Sequence, residues 1–211
     1  MEKLIKIKID DVILEGMLVL PEETSGLVIF AHGSDSSRLS PRNNFVATVL
    51  QKNKIGTLLI DLLTEQEDEV YETRFNIPLL TDRLAKITSW VKDHPETKNL
   101  PIGLFGASTG AAAALKTAAR MKNDIAAVVS RGGRPDMAID ELENVIAPTL
   151  LIVGGEDTEV IELNSAAFIR LKEIKTMEII PGATHLFEEP GTLEQVATLA
   201  TEWFKKYLIR P

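Results

Sequence analysis

The sequence predicts a three-layer α/β/α sandwich whose mostly parallel sheet is opened by an antiparallel N-terminal hairpin. Three observations predict it. Short, uninterrupted apolar runs such as Leu27–Ala31 and Ile102–Phe105 have the pattern of strands buried on both faces. Segments with apolar residues at helical spacing alternate with them, as in Leu80, Leu84, Ile87 and Val91. The apolar runs end in loops of small or acidic residues, and right-handed crossovers gather such loops at one sheet edge, where ligands bind in open α/β sheets.

Taken in order, Leu4–Ile9 and Val12–Leu20 read as two strands turning at Asp10-Asp11. Leu27–Ala31 runs into the small-residue loop His32-Gly33-Ser34-Asp35-Ser36-Ser37. Ser40 and Pro41 then form an N-cap and first-turn pair, with Phe45, Val46, Val49 and Leu50 as the apolar face of the helix that follows. After the strand Thr57–Ile60, the acid-rich segment from Thr64 to Thr73 reads as a solvated loop, because it has no interleaved histidine and no metal-ligand spacing. A helix over Asn76–Asp93 stops before Pro95. Ile102–Phe105 is a strand, followed by a helix over Thr109–Met121. Next come a strand Ile125–Ser130, a short helical segment near Pro135–Glu143, a strand Thr149–Val153, a helix Val160–Lys172 and a strand Met177–Ile180. Thr192 and Gln195 suggest a capping box for the last helix.

A length of 211 residues suits a single domain over residues 1–211. No long insertion follows Ile125–Ser130, so no cap domain is expected. The formal net charge of −8 argues against nucleic acid and anionic membrane as partners. Without cysteine there is no disulfide, thiolate nucleophile or Cys-ligated zinc. The charged, alternating N-terminus and the lack of a span-length apolar run lead us to expect a cytoplasmic chain.

The chemistry gathers at Gly106-Ala107-Ser108-Thr109-Gly110. A strand entering Gly-x-Ser-x-Gly, with helix formers after it, has the layout of a nucleophile elbow. Later loops hold Asp157 and His185, so the order is Ser, Asp, His, that of the α/β-hydrolase fold. A serine hydroxyl needs a base to become a nucleophile at neutral pH. His185 can be that base and Asp157 can hold its tautomer, with Glu156 and Glu159 as alternative orienters. The backbone N–H of Thr109 and one in the His32-Gly33-Ser34 loop, assigned to Ser34, would form the oxyanion hole. His32 reads as a loop-shaping group. Arg38, Arg42, Arg74, Arg131 and Arg134 fall in or near loops. They either pair with the acidic segment or hold an anionic group of a substrate, and Arg74 and Arg131 are the candidates for the second role.

His32-Gly33-Ser34, the Ser108 elbow, Gly155-Glu156-Asp157 and Gly182-Ala183-Thr184-His185-Leu186-Phe187 together resemble the dienelactone hydrolase-like α/β-hydrolases, in their small, lidless bacterial form. The likeness spans nearly the whole chain. It implies hydrolysis of a small-molecule carboxylic ester or lactone, with Ser108, Asp157 and His185 at the triad positions. One position departs from the pattern: dienelactone hydrolases carry a cysteine where this chain has Ser108. Neither a metal nor an organic cofactor is expected. Acyl transfer or amide hydrolysis at the same residues is one alternative. A non-catalytic ligand-binding role for the scaffold is the other.

Overall fold

The computed structural model describes residues 1–34 and 36–208; Asp35 of the small-residue loop lies outside them. The strands are β1 (Glu2–Ile9), β2 (Val12–Val19), β3 (Leu27–Ala31), β4 (Gly56–Ile60), β5 (Ile102–Ala107), β6 (Ala127–Arg131), β7 (Thr149–Gly154) and β8 (Lys175–Ile180). They form one sheet in the order β1-β2-β4-β3-β5-β6-β7-β8. The β1–β2 hairpin and the β2–β4 pair are antiparallel, and all other neighbours are parallel.

The helices are α1 (Pro41–Lys52), α2 (Glu65–Asp68), α3 (Ile77–Asp93), α4 (Thr109–Met121), α5 (Thr158–Arg170) and α6 (Thr192–Tyr207). Alternation along each strand sends side chains to two separate cores. On one side Val28, Phe30, Phe105 and Val129 pack under α1 and α6. On the other Ile29, Leu104 and Val128 pack under α3, α4 and α5. The central strands are therefore buried on both faces, which is why they are continuous apolar runs. Only two short 3-10 turns, Pro135–Ala138 and Leu142–Asn144, separate β6 from β7, in place of the single helical segment expected there and with no cap domain. No helix among the described residues is long and apolar enough to cross a membrane.

Several local expectations are corrected. The acidic segment is not a plain solvated loop. Thr64 and Glu67 cap α2 reciprocally, and Glu67 grips the buried Arg83 through both carboxylate oxygens at 2.5 and 2.6 Å. Thr192 is the first residue of α6 and not its N-cap; Gly191 takes that place at φ 82°, while the Thr192 hydroxyl donates to the Glu189 carbonyl. Ser40 does cap α1, but Phe45 is exposed, and the inward face is Asn43, Val46, Ala47 and Leu50. β6 extends one residue further than expected and ends at Arg131.

Candidate active site

Ser108 joins β5 to α4 with φ 50° and ψ −123°, a conformation that costs a side-chain-bearing residue free energy. The backbone around it holds it there. Its N–H donates to the Arg131 carbonyl at 3.2 Å, and its own carbonyl accepts from Ala111 at 3.1 Å and Arg134 at 3.0 Å. The flanking glycines are required by close approach. A Cβ at Gly106 would lie 2.4 Å from the Ala111 Cα, and one at Gly110 would lie 2.2 Å from the Ala31 carbonyl oxygen. The turn thus lifts Ser108 at the carboxyl edge of the central strands, at the N-terminus of a buried helix.

Asp157 stands at the N-cap position of α5, yet its side chain makes no cap bond. It turns instead to His185, with Oδ2 2.6 Å from Nδ1. An ionised carboxylate can only accept, so Nδ1 carries the proton and Nε2 is left as a base. The two loops are stitched together by backbone hydrogen bonds, Gly155 N–H to the Ile180 carbonyl and Glu156 N–H to the Ala183 carbonyl. Beyond the histidine, Phe187 is buried in the α1–α6 core and anchors the loop at φ 56°. Glu189 fixes it from outside, accepting from the Thr184 N–H and hydroxyl, bonds that hold its carboxyl below the usual range. That role had no sequence signal, because a run of Glu after a histidine reads as solvated.

Ser108 and His185 approach from either side of the end of β6. The Ser108 N–H bonds Arg131, and a Cβ on the next residue, Gly132, would lie 3.5 Å from His185 Cε1. No hydrogen bond joins the Ser108 hydroxyl to His185 among the described residues.

The loop after β3 covers the elbow closely, since a Cβ on Gly33 would lie 2.9 Å from that of Ser108. The Ser34 N–H donates to the Thr109 hydroxyl oxygen at 3.0 Å. Thr109 opens α4, where the first N–H groups have no intrahelical acceptor and the helix dipole is positive. His32 is buried, its Nδ1 2.9 Å from the Gly33 carbonyl and its Nε2 accepting the Leu62 N–H at 3.0 Å. Nδ1–H donates to the carbonyl, and the bond accepted from Leu62 requires Nε2 without a proton, so the ring is neutral, and burial keeps its pKa below 6.5. The loop also forms a wall of a cavity of about 590 Å³, whose other side includes Leu14, Leu63 and Asp68.

The arginines divide. Arg38 pairs with Asp61 and Glu15, Arg134 with Asp136, and Arg74 with the Asp68 carbonyl and carboxylate. Arg131 has no acidic partner among the described residues.

The chain is similar to several known proteins. The model of the dienelactone hydrolase family matches residues 45–208. Two Mycobacterium tuberculosis proteins, from strains CDC 1551 / Oshkosh and H37Rv, are 54% identical over 196 residues, covering 93% of this chain and 44% of theirs. Both carry the provisional name of a phosphoribosyl transferase, and this chain spans less than half their length. The crystal structure of dienelactone hydrolase from Anabaena variabilis superposes with a TM-score of 0.96 at 52% identity, over 99% of this chain and 98% of that one. Est1E from Butyrivibrio proteoclasticus shares the fold, with a TM-score of 0.83 at 17% identity over 96% and 98% of the two chains.

Proposed function

The chain belongs to the dienelactone hydrolase family of α/β-hydrolases, and from that membership we propose that it cleaves a carboxylic ester or lactone through an acyl-enzyme on Ser108. The observation that carries this reading is the 2.6 Å bond between Asp157 and His185, which leaves one ring nitrogen as a base near a serine held in a strained turn.

The chemistry follows from the placement. Ser108 Oγ attacks the carbonyl carbon while His185 Nε2 takes its proton, and Asp157 stabilises the imidazolium that forms. The negative charge that develops on the carbonyl oxygen is met by the N–H groups of Thr109 and Ser34, the latter exchanging the Thr109 hydroxyl for the substrate oxygen. As the intermediate collapses, the C–O bond breaks and the alkoxide leaving group takes the His185 proton. Water then gives a proton to His185 and attacks the acyl-serine, and collapse returns that proton to Ser108 Oγ and releases the carboxylic acid. Neutral His32 holds the Ser34 loop through Gly33 and Leu62.

Acyl transfer or amide hydrolysis would use the same groups with a different acceptor or leaving group. The phosphoribosyl transferase of the mycobacterial names is a second reading. Displacement of pyrophosphate at a sugar carbon has no use for an acylated serine, so the strained Ser108 favours hydrolysis.

A fluorophosphonate probe tests the proposal. Stoichiometric labelling of the native chain, lost in Ser108→Ala, together with turnover of short p-nitrophenyl esters is the expected result. Neither labelling nor turnover would leave a ligand-binding role for the scaffold.

A further inference from the structure

Asn164 lies in the interior of α5 and is fully buried, at a position where the helix would be expected to carry an apolar residue. Its Nδ2 is 2.8 Å from the Val160 carbonyl, one turn earlier in the helix, and 3.0 Å from the Gly133 carbonyl in the loop after β6. Both partners can only accept, which places the amide nitrogen on that side and uses both of its protons. Oδ1 is left buried with no donor among the described residues. An orphaned buried acceptor costs free energy, and asparagine is a poor residue for the inside of a helix. Leucine has the same branched shape and would avoid both costs. Residues that break local rules in this way concentrate at functional sites.

The two bonds lead to opposite halves of the site. Val160 is in the first turn of α5, directly after Asp157, whose carboxylate orients His185. The Gly133 carbonyl belongs to the same peptide unit as the Arg134 N–H, and that N–H donates to the Ser108 carbonyl at 3.0 Å. One planar peptide therefore holds the nucleophile through its N–H and Asn164 through its carbonyl. It has no freedom to slide. A Cβ on Gly133 would lie 2.0 Å from the Ser130 Oγ and 2.6 Å from the Ala111 Cβ, so the unit is wedged against the start of α4.

We propose that Asn164 is a positioning residue that sets the distance between Ser108 and the Asp157–His185 pair through the Gly133–Arg134 peptide. This rests on the hydrolase reading above. Ser108 and His185 stand on different loops, and proton transfer between them depends on how those loops are held. A misplacement of about 1 Å costs on the order of 10²-fold in rate. The amide acts as a spacer of fixed length between α5 and the loop that grips the nucleophile.

Asn164→Leu removes the amide, keeps the branched shape and leaves no orphaned acceptor. With a short p-nitrophenyl ester, kcat should fall about 10- to 100-fold while KM stays within about threefold, because the residue acts through Ser108 and not on bound substrate. A fluorophosphonate should still label Ser108 stoichiometrically, at a rate that falls in step with kcat; unfolded chain would lower the extent of labelling instead. The urea midpoint should be no lower than that of the native chain. Should this variant not fold, Asn164→Ser carries the test. Its single hydroxyl proton can hold the Val160 carbonyl but not Gly133 as well, so it should show the same loss in kcat and labelling rate. A folded variant with kcat and labelling rate within about threefold of native overturns the proposal, and a lowered urea midpoint beside those rates assigns Asn164 to stability alone. A raised KM with kcat unchanged overturns it as well. If the native chain neither turns over the ester nor reacts with the probe, the hydrolase reading itself fails, and this role with it.

Discussion

The backbone N–H of Ser34 donates to the side-chain oxygen of Thr109 at 3.0 Å, joining the loop after β3 to the first residue of the elbow helix. Two residues from distant parts of the chain, whose backbone N–H groups are each expected to bind an oxyanion, are thus held together through the threonine hydroxyl. The Thr109 hydroxyl occupies the acceptor position that a substrate carbonyl would need at Ser34.

That arrangement makes Thr109→Val informative, because it removes the hydroxyl and keeps the branched shape. If the substrate oxygen replaces the hydroxyl, the variant should lose about 1 kcal/mol of stability, one hydrogen bond, and keep kcat/KM within roughly threefold of the native value. A loss of catalysis on the order of 10²-fold would instead assign the oxyanion contact to the hydroxyl itself. Urea unfolding and p-nitrophenyl acetate kinetics on the same samples separate the two.

Asp157→Asn tests the orienter. The amide preserves shape but lacks the charge and lets the ring adopt the other tautomer, so kcat should fall on the order of 10⁴-fold with little change in folding. Glu156 and Glu159 lie close by in sequence, and full activity in Asp157→Asn would transfer the role to one of them. Steady-state rates of all three amide variants, with circular dichroism as the folding control, settle the assignment.

The architecture was readable because burial on both faces leaves a local mark: a strand such as Leu27–Ala31 has nowhere to put a polar residue. The loops that carry Ser108, Asp157 and His185 follow from that pattern and from the handedness of crossovers. Charge pairing leaves no comparable mark. Arg42 meets Glu188 from 146 residues away, and Arg83 meets Glu67 from the far side of a turn, so the acidic segment looked solvated. The Thr192 capping expectation failed for a related reason. A positive-φ glycine supplied the N-cap position and freed the threonine to bond Glu189.

His32 should make stability pH-dependent. Burial lowers its native pKa below 6.5, outweighing the opposing pull of its Gly33 bond and of Asp61 and Asp68, so the folded chain keeps the ring neutral. Below pH 6.5 the unfolded chain binds a proton that the native chain does not. The contribution is therefore complete above pH 6.5 and is lost as pH falls, by at most about 1.4 kcal/mol per unit. His32→Gln keeps an acceptor for Leu62 and does not titrate. The native chain should lose more stability than this variant between pH 7.5 and 5.5 in urea unfolding, and parallel curves would remove His32 as the source.

Glu67 and Arg83 should govern the acid limb. The Arg83 guanidinium, assisted by the Thr64 N–H and hydroxyl, draws the Glu67 carboxyl from 4.5 down to about 2 against a smaller cost of burial. A carboxylate lowered in this way stabilises the fold fully above pH 4.5, and the contribution disappears as pH falls from there toward 2. Allowing for partial exposure, the pair contributes on the order of 2–3 kcal/mol at neutral pH. Glu67→Gln removes the charge and leaves Arg83, which also donates to the Leu62 carbonyl, without a counter-ion. It should be less stable than the native chain by about that amount at pH 7 in urea unfolding. Lowering the pH below 4.5 should narrow the gap, because only the native chain then loses a paired carboxylate. A gap that stays constant from pH 7 to 3 would mean that packing around Arg83, and not ionisation of Glu67, holds this corner of the fold.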